Sequence, residues 1–254
     1  MVLSRSSLGD VLVVIPARWG SSRFPGKALA DLAGRPLVVR VADLAARMAT
    51  AARVIVATDD ARIADAVRAA GHLAEMTGEH ASGSDRVGEV AARHDAEVVV
   101  NLQGDEPLLD PAALDALVAA LRADPLADLA TLAHPLRGPE EWRDPHAVKV
   151  LTAADGRALW FSRAPLPGGH PGAGGEADWR LARRHVGVYA YRAAALRRFL
   201  ELPPSGLERA EGLEQLRALE HGLRVLVVGT AAGAVGVDTP ADLERVRAAW
   251  ASPR

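Results

Sequence analysis

The chain has 254 residues, no cysteine and a formal net charge of −2. That length accommodates one large α/β domain, or one domain with a small inserted lobe, and the lack of cysteine excludes disulfides, thiolate zinc sites and cysteine nucleophiles together. The charge gives no global basic field for nucleic acid or an anionic membrane, no apolar run approaches the ~20 residues of a membrane span, and Met1 to Asp10 has no apolar leader core; the expectation is a soluble cytoplasmic protein.

Val11 to Ile15 are five consecutive branched apolar residues, which read as a fully buried strand. The loop that follows carries Arg18, Arg23 and Lys27 among glycines and serines. Small residues let a backbone approach a polyanion, and three fixed positive charges neutralise it, so this is the composition of a triphosphate cradle. It is not a Walker loop. Five residues separate Gly20 from Gly26, and Lys27 is followed by Ala28, which has no oxygen for magnesium. Any magnesium must then be held by carboxylates elsewhere. Trp19, inside the loop, is read as packing it rather than stacking on a base. Lys27 and Lys149 are the only lysines in an arginine-rich chain, and a compact ammonium does what a guanidinium does not.

A helix near Pro36 to Met48 follows, then a strand over Arg53 to Ala57 that ends in Thr58-Asp59-Asp60, and a helix to Ala70. A short strand near Leu73 to Met76, a helix over Ser84 to His94, and a strand over Glu97 to Leu102 come next; the last ends in Gln103-Gly104-Asp105-Glu106-Pro107, with a helix after Pro111. Such alternation implies a mainly parallel sheet covered on both faces, with ligands at the carboxyl ends of its strands. The loops of interest all follow strands and should converge on one edge. From Leu126 to Tyr191 the strands shorten, at Ala147 to Thr152, Ala158 to Ser162 and His185 to Tyr191. Pro165 to Asp178, rich in Gly and Pro, reads as a mobile loop. The region around 133–191 is expected to form a smaller lobe or a dimerisation element. One helix over Leu207 to His221, a strand over Arg224 to Val228 and a helix from Thr239 close the chain.

Two carboxylates suit a metal, Asp105 and Asp238, because magnesium is held by one or two carboxylates plus substrate phosphates. Each has a plainer reading. Gln103 to Pro107 is also a solvated turn, and Asp238 or Thr239 before Pro240 is also an ordinary helix cap. The histidines His72, His94, His134, His146 and His221 have no metal-ligand spacing and are read as surface or packing residues.

Several motifs occur in order: Pro16-Ala17-Arg18 with Ser21-Ser22-Arg23 and Pro25-Gly26-Lys27, Ala57-Thr58-Asp59, His80-x-Ser82-Gly83-Ser84-Asp85-Arg86 and Asn101-x-Gln103-Gly104-Asp105-Glu106-Pro107. Val148-Lys149, Phe161-Ser162-Arg163, Arg184-His185-x-Gly187-x-Tyr189-x-Tyr191, Leu213-Glu214-Gln215-Leu216-Arg217 and Gly236-Val237-Asp238-Thr239-Pro240 complete the set. With these, the chain from Val11 to about Arg247 resembles the 3-deoxy-manno-octulosonate (Kdo) cytidylyltransferases of lipopolysaccharide synthesis. The resemblance implies a single α/β domain with the three-layer, Rossmann-like fold of nucleotide-diphospho-sugar transferases: a mostly parallel central sheet with a small additional lobe. It implies a homodimer that couples CTP to Kdo with Mg2+, giving CMP-Kdo and pyrophosphate. Arg18, Lys27, Asp105 and Asp238 would be catalytic, the two aspartates holding the metal. Ala17, Arg18, Ser22, Arg23, Lys27, Thr58, Asp59, Ser82, Gly83 and Asp105 would bind the nucleotide; Arg86, Gln103, Arg163, His185, Tyr189, Glu214 and Gln215 would face the sugar acid. The sequence departs from the family pattern at Ala164 to Asp178, at Asp144-Pro145-His146 and at Ser84-Asp85. These departures leave open another acceptor, 8-amino-Kdo or a sialic acid, and a catalytically silent nucleotide-binding protein of the same fold remains the alternative of another class.

Overall fold

The computed structural model describes residues 10–20, 24–170, 178–231 and 236–251; Ser22 and Arg23 of the basic loop, and residues 171–177 of the Gly/Pro-rich stretch, lie outside the described residues. Strand β1 (Val11–Ala17) leads through the basic loop and a short 3-10 turn to a two-stranded hairpin, β2 (Asp31–Leu32) and β3 (Arg35–Pro36), and helix α1 (Leu37–Ala45). Then come β4 (Ala51–Thr58), α2 (Ala61–Ala69), β5 (Leu73–Met76), α3 (Gly83–Ala91), β6 (Val98–Asn101) and α4 (Pro111–Ala123). The second half runs β7 (Leu129–Pro135), α5 (Pro139–Arg143), β8 (Lys149–Thr152), β9 (Ala158–Ser162), β10 (Arg183–Arg192), α6 (Ala193–Glu201), α7 (Gly206–Glu211), α8 (Gln215–Glu220), β11 (Val225–Gly229) and α9 (Pro240–Ala251).

The main sheet has the order β11-β7-β10-β6-β1-β4-β5. β10 alone on this path is reversed, being antiparallel to both β6 and β7, so the mostly parallel sheet read from the sequence is the one that forms. β8 and β9 extend the same sheet beside the start of β10. Alternation along β1 makes the three layers. Val11, Val13, Ile15 and Ala17 pack with α1, α2 and α4 on one face; Leu12 and Val14 pack with α3, α6 and α8 on the other. Burial on both faces explains the continuous apolar run.

Caps set the helix starts where ligand loops end. Asp60 accepts the Arg62 N–H at 2.9 Å to open α2, Ser82 accepts the Asp85 N–H at 3.1 Å to open α3, and Asp110 accepts the Ala112 N–H at 2.9 Å ahead of Pro111. The single helix expected over Leu207 to His221 is two. Ser205 and Glu208 form a capping box for α7, and Gly212, at φ +64°, closes it by donating its N–H to the Glu208 carbonyl at 2.7 Å. The break turns the chain so that Glu214 and Gln215 open α8 at the sheet edge. β7 and α6 are further elements that the sequence reading did not single out: β7 has small residues and a threonine amid its apolar positions, and α6 begins in three alanines.

The C-terminal helix matters most for the site. Val237, Leu243 and Val246 bury themselves against Leu32 and Leu37 of the hairpin and α1. That packing lays residues 236–239 alongside the loop after β6, where the Val237 N–H donates to the Asp105 carbonyl at 2.9 Å. Two loops far apart in the chain thus become neighbours.

Candidate active site

Lys27, Asp105 and Asp238 meet at one point. The Lys27 Nζ donates to Asp105 Oδ2 at 2.6 Å and to Asp238 Oδ1 at 3.4 Å. Thr239 and Asp242 cap the start of the last helix. Thr239 Oγ1 accepts the Asp242 N–H at 3.2 Å, while Asp242 Oδ2 accepts the N–H groups of Asp238 and Thr239 at 3.1 and 2.8 Å. The Asp238 carboxylate reaches Lys27 of the basic loop. Two hard carboxylates already gathered around a cationic nitrogen fit the donor set of magnesium with substrate phosphates.

Backbone geometry brings these groups close. A Cβ on Gly104 would lie 3.1 Å from the Pro16 carbonyl oxygen, so only glycine lets the β6 loop touch the end of β1 undistorted. Gly26 turns at φ +71° with the Trp19 ring over it, 3.0 Å from where a Cβ would stand, and the Arg62 guanidinium stacks 3.4 Å from the same ring. Trp19 therefore packs the loop, as read from sequence.

Around this point lie two adjoining cavities that share Gly83, Gln103, Glu214 and Asp238. The smaller, about 400 Å³, is bounded by Pro16, Ala17, Arg18, Lys27, His80, Ser82, Arg86 and Asp105. The larger, about 830 Å³, is bounded by Arg163, Arg184, His185, Tyr189, Gln215 and others. Ala17, Arg18, Lys27, Ser82, Gly83 and Asp105 are thus gathered on the first wall; Arg163, His185, Tyr189 and Gln215 on the second; Gln103 and Glu214 border both. Arg86, expected to face the sugar acid with the residues of the second wall, stands apart from them. It lines the smaller cavity only, its guanidinium held by Asp59 Oδ2 at 2.5 Å, by Thr77 and by the Gly78 carbonyl. Asp59 reaches that cavity through Arg86. Thr58 lines neither cavity; it is fully buried and accepts the Asp60 N–H at 3.2 Å.

A polar chain crosses between the cavities: Gln103 Nε2 donates to Asn101 Oδ1 at 2.9 Å, Asn101 Nδ2 lies 3.4 Å from Ser84 Oγ, and Ser84 Oγ donates to Glu214 Oε2 at 2.6 Å. Gln215 Nε2 is shielded from solvent and has no hydrogen-bond partner among the described residues. A buried amide donor without an acceptor is costly unless a ligand supplies one. Lys149, fully buried, explains how Arg163 is held. Its ammonium donates to the carbonyls of Asp144, Ala147 and Arg163 at 2.8, 2.6 and 2.5 Å, and burial pushes its pKa down. Arg163 in turn donates to the Pro145 and Glu211 carbonyls at 3.2 and 2.9 Å.

The sequence reading missed several wall residues. Glu106 lies inside one of the motifs; its Oε2 is solvent-shielded and has no hydrogen-bond partner among the described residues, and burial beside Asp105 and Asp238 pushes its pKa up to about 8. Arg184, which pairs with Glu141 at 2.5 Å, adjoins His185 in another motif. His134 and His146 line the larger cavity instead of serving only the surface or the packing. His72 and His94 hydrogen-bond to Asp43 and Glu75 at 2.8 and 2.6 Å.

Desolvation deep in the larger cavity pushes the His185 pKa down to about 3 and raises that of Tyr189 well above its usual value. The folded chain thus leaves His185 neutral where the unfolded chain protonates it, below about 6.5. Unfolded chains bind more protons between pH 6.5 and 3, so stability falls with acid across that window. One such group contributes a slope of up to ~1.4 kcal/mol per pH unit. Urea unfolding at pH 7, 5.5 and 4.5 should show a shallower acid loss in His185→Gln than in the wild type. Identical slopes would refute the neutral, desolvated imidazole.

The geometry has relatives. The sequence profile described as cytidylyltransferase matches residues 12–225. A solved 4-diphosphocytidyl-2C-methyl-D-erythritol synthase from Anaerococcus prevotii shares the fold, with a TM-score of 0.63 over 96% of each chain at 13% identity. The solved CMP:2-keto-3-deoxy-manno-octonic acid synthetase, complexed with CTP, aligns with a TM-score of 0.88 and 43% identity over 95% of this chain and 98% of that one. Among curated proteins, the 3-deoxy-manno-octulosonate cytidylyltransferase of Anaeromyxobacter sp. (strain Fw109-5) is 54% identical, covering 95% of this chain and 97% of its own. That of Geobacter sulfurreducens is 48% identical over 93% and 98%. The chain belongs to the cytidylyltransferase family, in its 3-deoxy-manno-octulosonate branch.

Proposed function

We propose that the protein couples CTP to Kdo, forming CMP-Kdo and releasing pyrophosphate. The observation that carries the reading is the meeting of Lys27, Asp105 and Asp238 at the junction of the two cavities. One cavity suits a triphosphate and the other a polyhydroxylated acid. The solved CTP complex and the curated relatives supply the two substrates.

Chemically, the anomeric hydroxyl of the sugar acid attacks the α-phosphorus and pyrophosphate leaves. Positioning and charge neutralisation suffice for such a transfer, and no protein nucleophile is needed. Asp105 and Asp238 would hold magnesium, which when bound lowers the pKa of the attacking hydroxyl and offsets charge on the phosphate. Arg18 and Lys27 neutralise the triphosphate. Arg163 and Arg184, on the larger wall, suit the sugar carboxylate, and Gln215 Nε2 supplies a donor to a sugar oxygen. Arg86 belongs in this reading with the nucleotide. The proposal includes a soluble cytoplasmic homodimer. No helix among the described residues is long and apolar enough to cross a membrane, and Leu159, in β9, and Leu181, in the short 3-10 turn ahead of β10, are exposed apolar residues suited to a subunit contact.

Base choice tests the smaller cavity. Its walls at Pro16, Ala17, Ala81, Ser82 and Gly83 present mainly small side chains and backbone. A cytosine N4 amino group donates where uracil accepts, and a mispaired polar group costs ~1–3 kcal/mol. Pyrophosphate release should favour CTP over UTP by roughly tenfold to a hundredfold; equal rates would overturn the cytosine assignment and leave nucleotidyl transfer standing.

A further inference from the structure

The pairing of β10 with β7 slips between Val186 and Tyr189: Val186 faces Leu132, and Tyr189 faces the next residue, Thr131. Gly187 and Val188 bulge out of register, and the fully buried Thr131 hydroxyl fills the place. Its Oγ1 lies 2.8 Å from the Val188 carbonyl oxygen, 3.2 Å from that of Val186, and 2.9 Å from His185 Nε2.

A hydroxyl has one proton, and carbonyl oxygens only accept. Were that proton directed at His185, both carbonyls would face hydroxyl lone pairs at close range. It therefore goes to a carbonyl, and the 2.9 Å contact closes only if His185 Nε2 carries a proton and donates. A neutral imidazole has a single N–H, so Nδ1 is left as an acceptor. The ring stands 5.1 Å from Phe161 and 5.6 Å from Tyr189, on the wall of the larger cavity. Nδ1 has no hydrogen-bond partner among the described residues.

We propose that Thr131 is a positioning residue that locks His185 as its Nε2–H tautomer, so that Nδ1 accepts a hydroxyl proton of the sugar acid. The inference rests on the reading of the larger cavity as the sugar-acid site. It assigns recognition to a group that accepts from hydroxyls and repels bare acceptor oxygens at that position. Thr131 itself touches no substrate; it acts through the imidazole.

Two measurements on the full chain test it. In histidine-15N-labelled wild type, long-range 1H–15N spectra should show His185 with Nε2 protonated and Nδ1 bare. Thr131→Val keeps the shape and deletes the hydroxyl. It should mix the tautomers and raise KM for Kdo roughly tenfold to a hundredfold, with KM for CTP unchanged. Thr131→Ser should restore both. A protonated Nδ1 in the wild type overturns the proposal, and so does an unchanged KM for Kdo in a folded Thr131→Val. A wild type that releases no pyrophosphate with any sugar acid refutes the reading of the cavity instead, and the spectra then decide the tautomer alone.

Discussion

Asp105→Asn and Asp238→Asn should each lower pyrophosphate release from CTP by roughly two to three orders of magnitude. Both carboxylates approach the same nitrogen, at 2.6 and 3.4 Å, so a cation placed there loses half of its anionic protein ligands in either variant. Stability should hardly change. The side chains are 27% and 51% exposed, and ion pairs so open to water contribute at most ~1 kcal/mol. The segment carrying Asp238 is held by other means, the Val237 N–H to Asp105 carbonyl bond and the Thr239–Asp242 cap. Raised magnesium should recover part of the loss, because weaker binding is then offset by concentration. Near wild-type turnover in Asp238→Asn at limiting magnesium would reduce Asp238 to a bystander of the helix start.

Lys27→Ala should lose comparably, about two orders of magnitude or more, while unfolding free energy changes by under ~1 kcal/mol. The structure adds a consequence. The ammonium lies against both carboxylates, in the place a cation held between them would take. Lys27 thus competes with the metal before it serves the phosphates. Calorimetric titration without nucleotide should accordingly show tighter magnesium binding to Lys27→Ala than to the wild type, in a variant that has lost its turnover. Lys27→Arg should rescue only partly, since a planar fork fits a point-charge site poorly. Full activity in Lys27→Ala would mean that this loop is not the phosphate cradle.

Much of this arrangement was legible in the residues. The five-residue apolar run of β1, the loop after it and the alternation to α4 follow from burial on two faces and from caps at Asp60, Ser82 and Asp110, all local signals. That Asp105 and Asp238 belong together was legible by elimination, because Ala28 gives the loop no oxygen for a cation; both approach the Lys27 ammonium. What brings Asp238 to Asp105 was not. Val237, Leu243 and Val246 find Leu32 and Leu37 across most of the chain length, and periodicity carries no information about such a contact. Arg86 illustrates the same limit. Its motif was assigned to the sugar acid, whereas the contacts with Asp59, Thr77 and Gly78 hold it on the wall of the smaller cavity. Thr131 carries no signal beyond a polar residue in an apolar strand, for its role exists only because β10 bulges opposite it. Gly212 was legible and overlooked, since Ser205-x-x-Glu208 followed by a glycine spells a short capped helix.

The most direct measurement is pyrophosphate release from CTP in the presence of magnesium and a panel of sugar acids: Kdo, 8-amino-Kdo and a sialic acid. The account predicts release with Kdo, dependent on Asp105, Asp238 and Lys27, and little with the sialic acid. Release with another acid and none with Kdo would contradict the assigned acceptor. No release with any of them would contradict the central claim that the two cavities form a working cytidylyltransferase site.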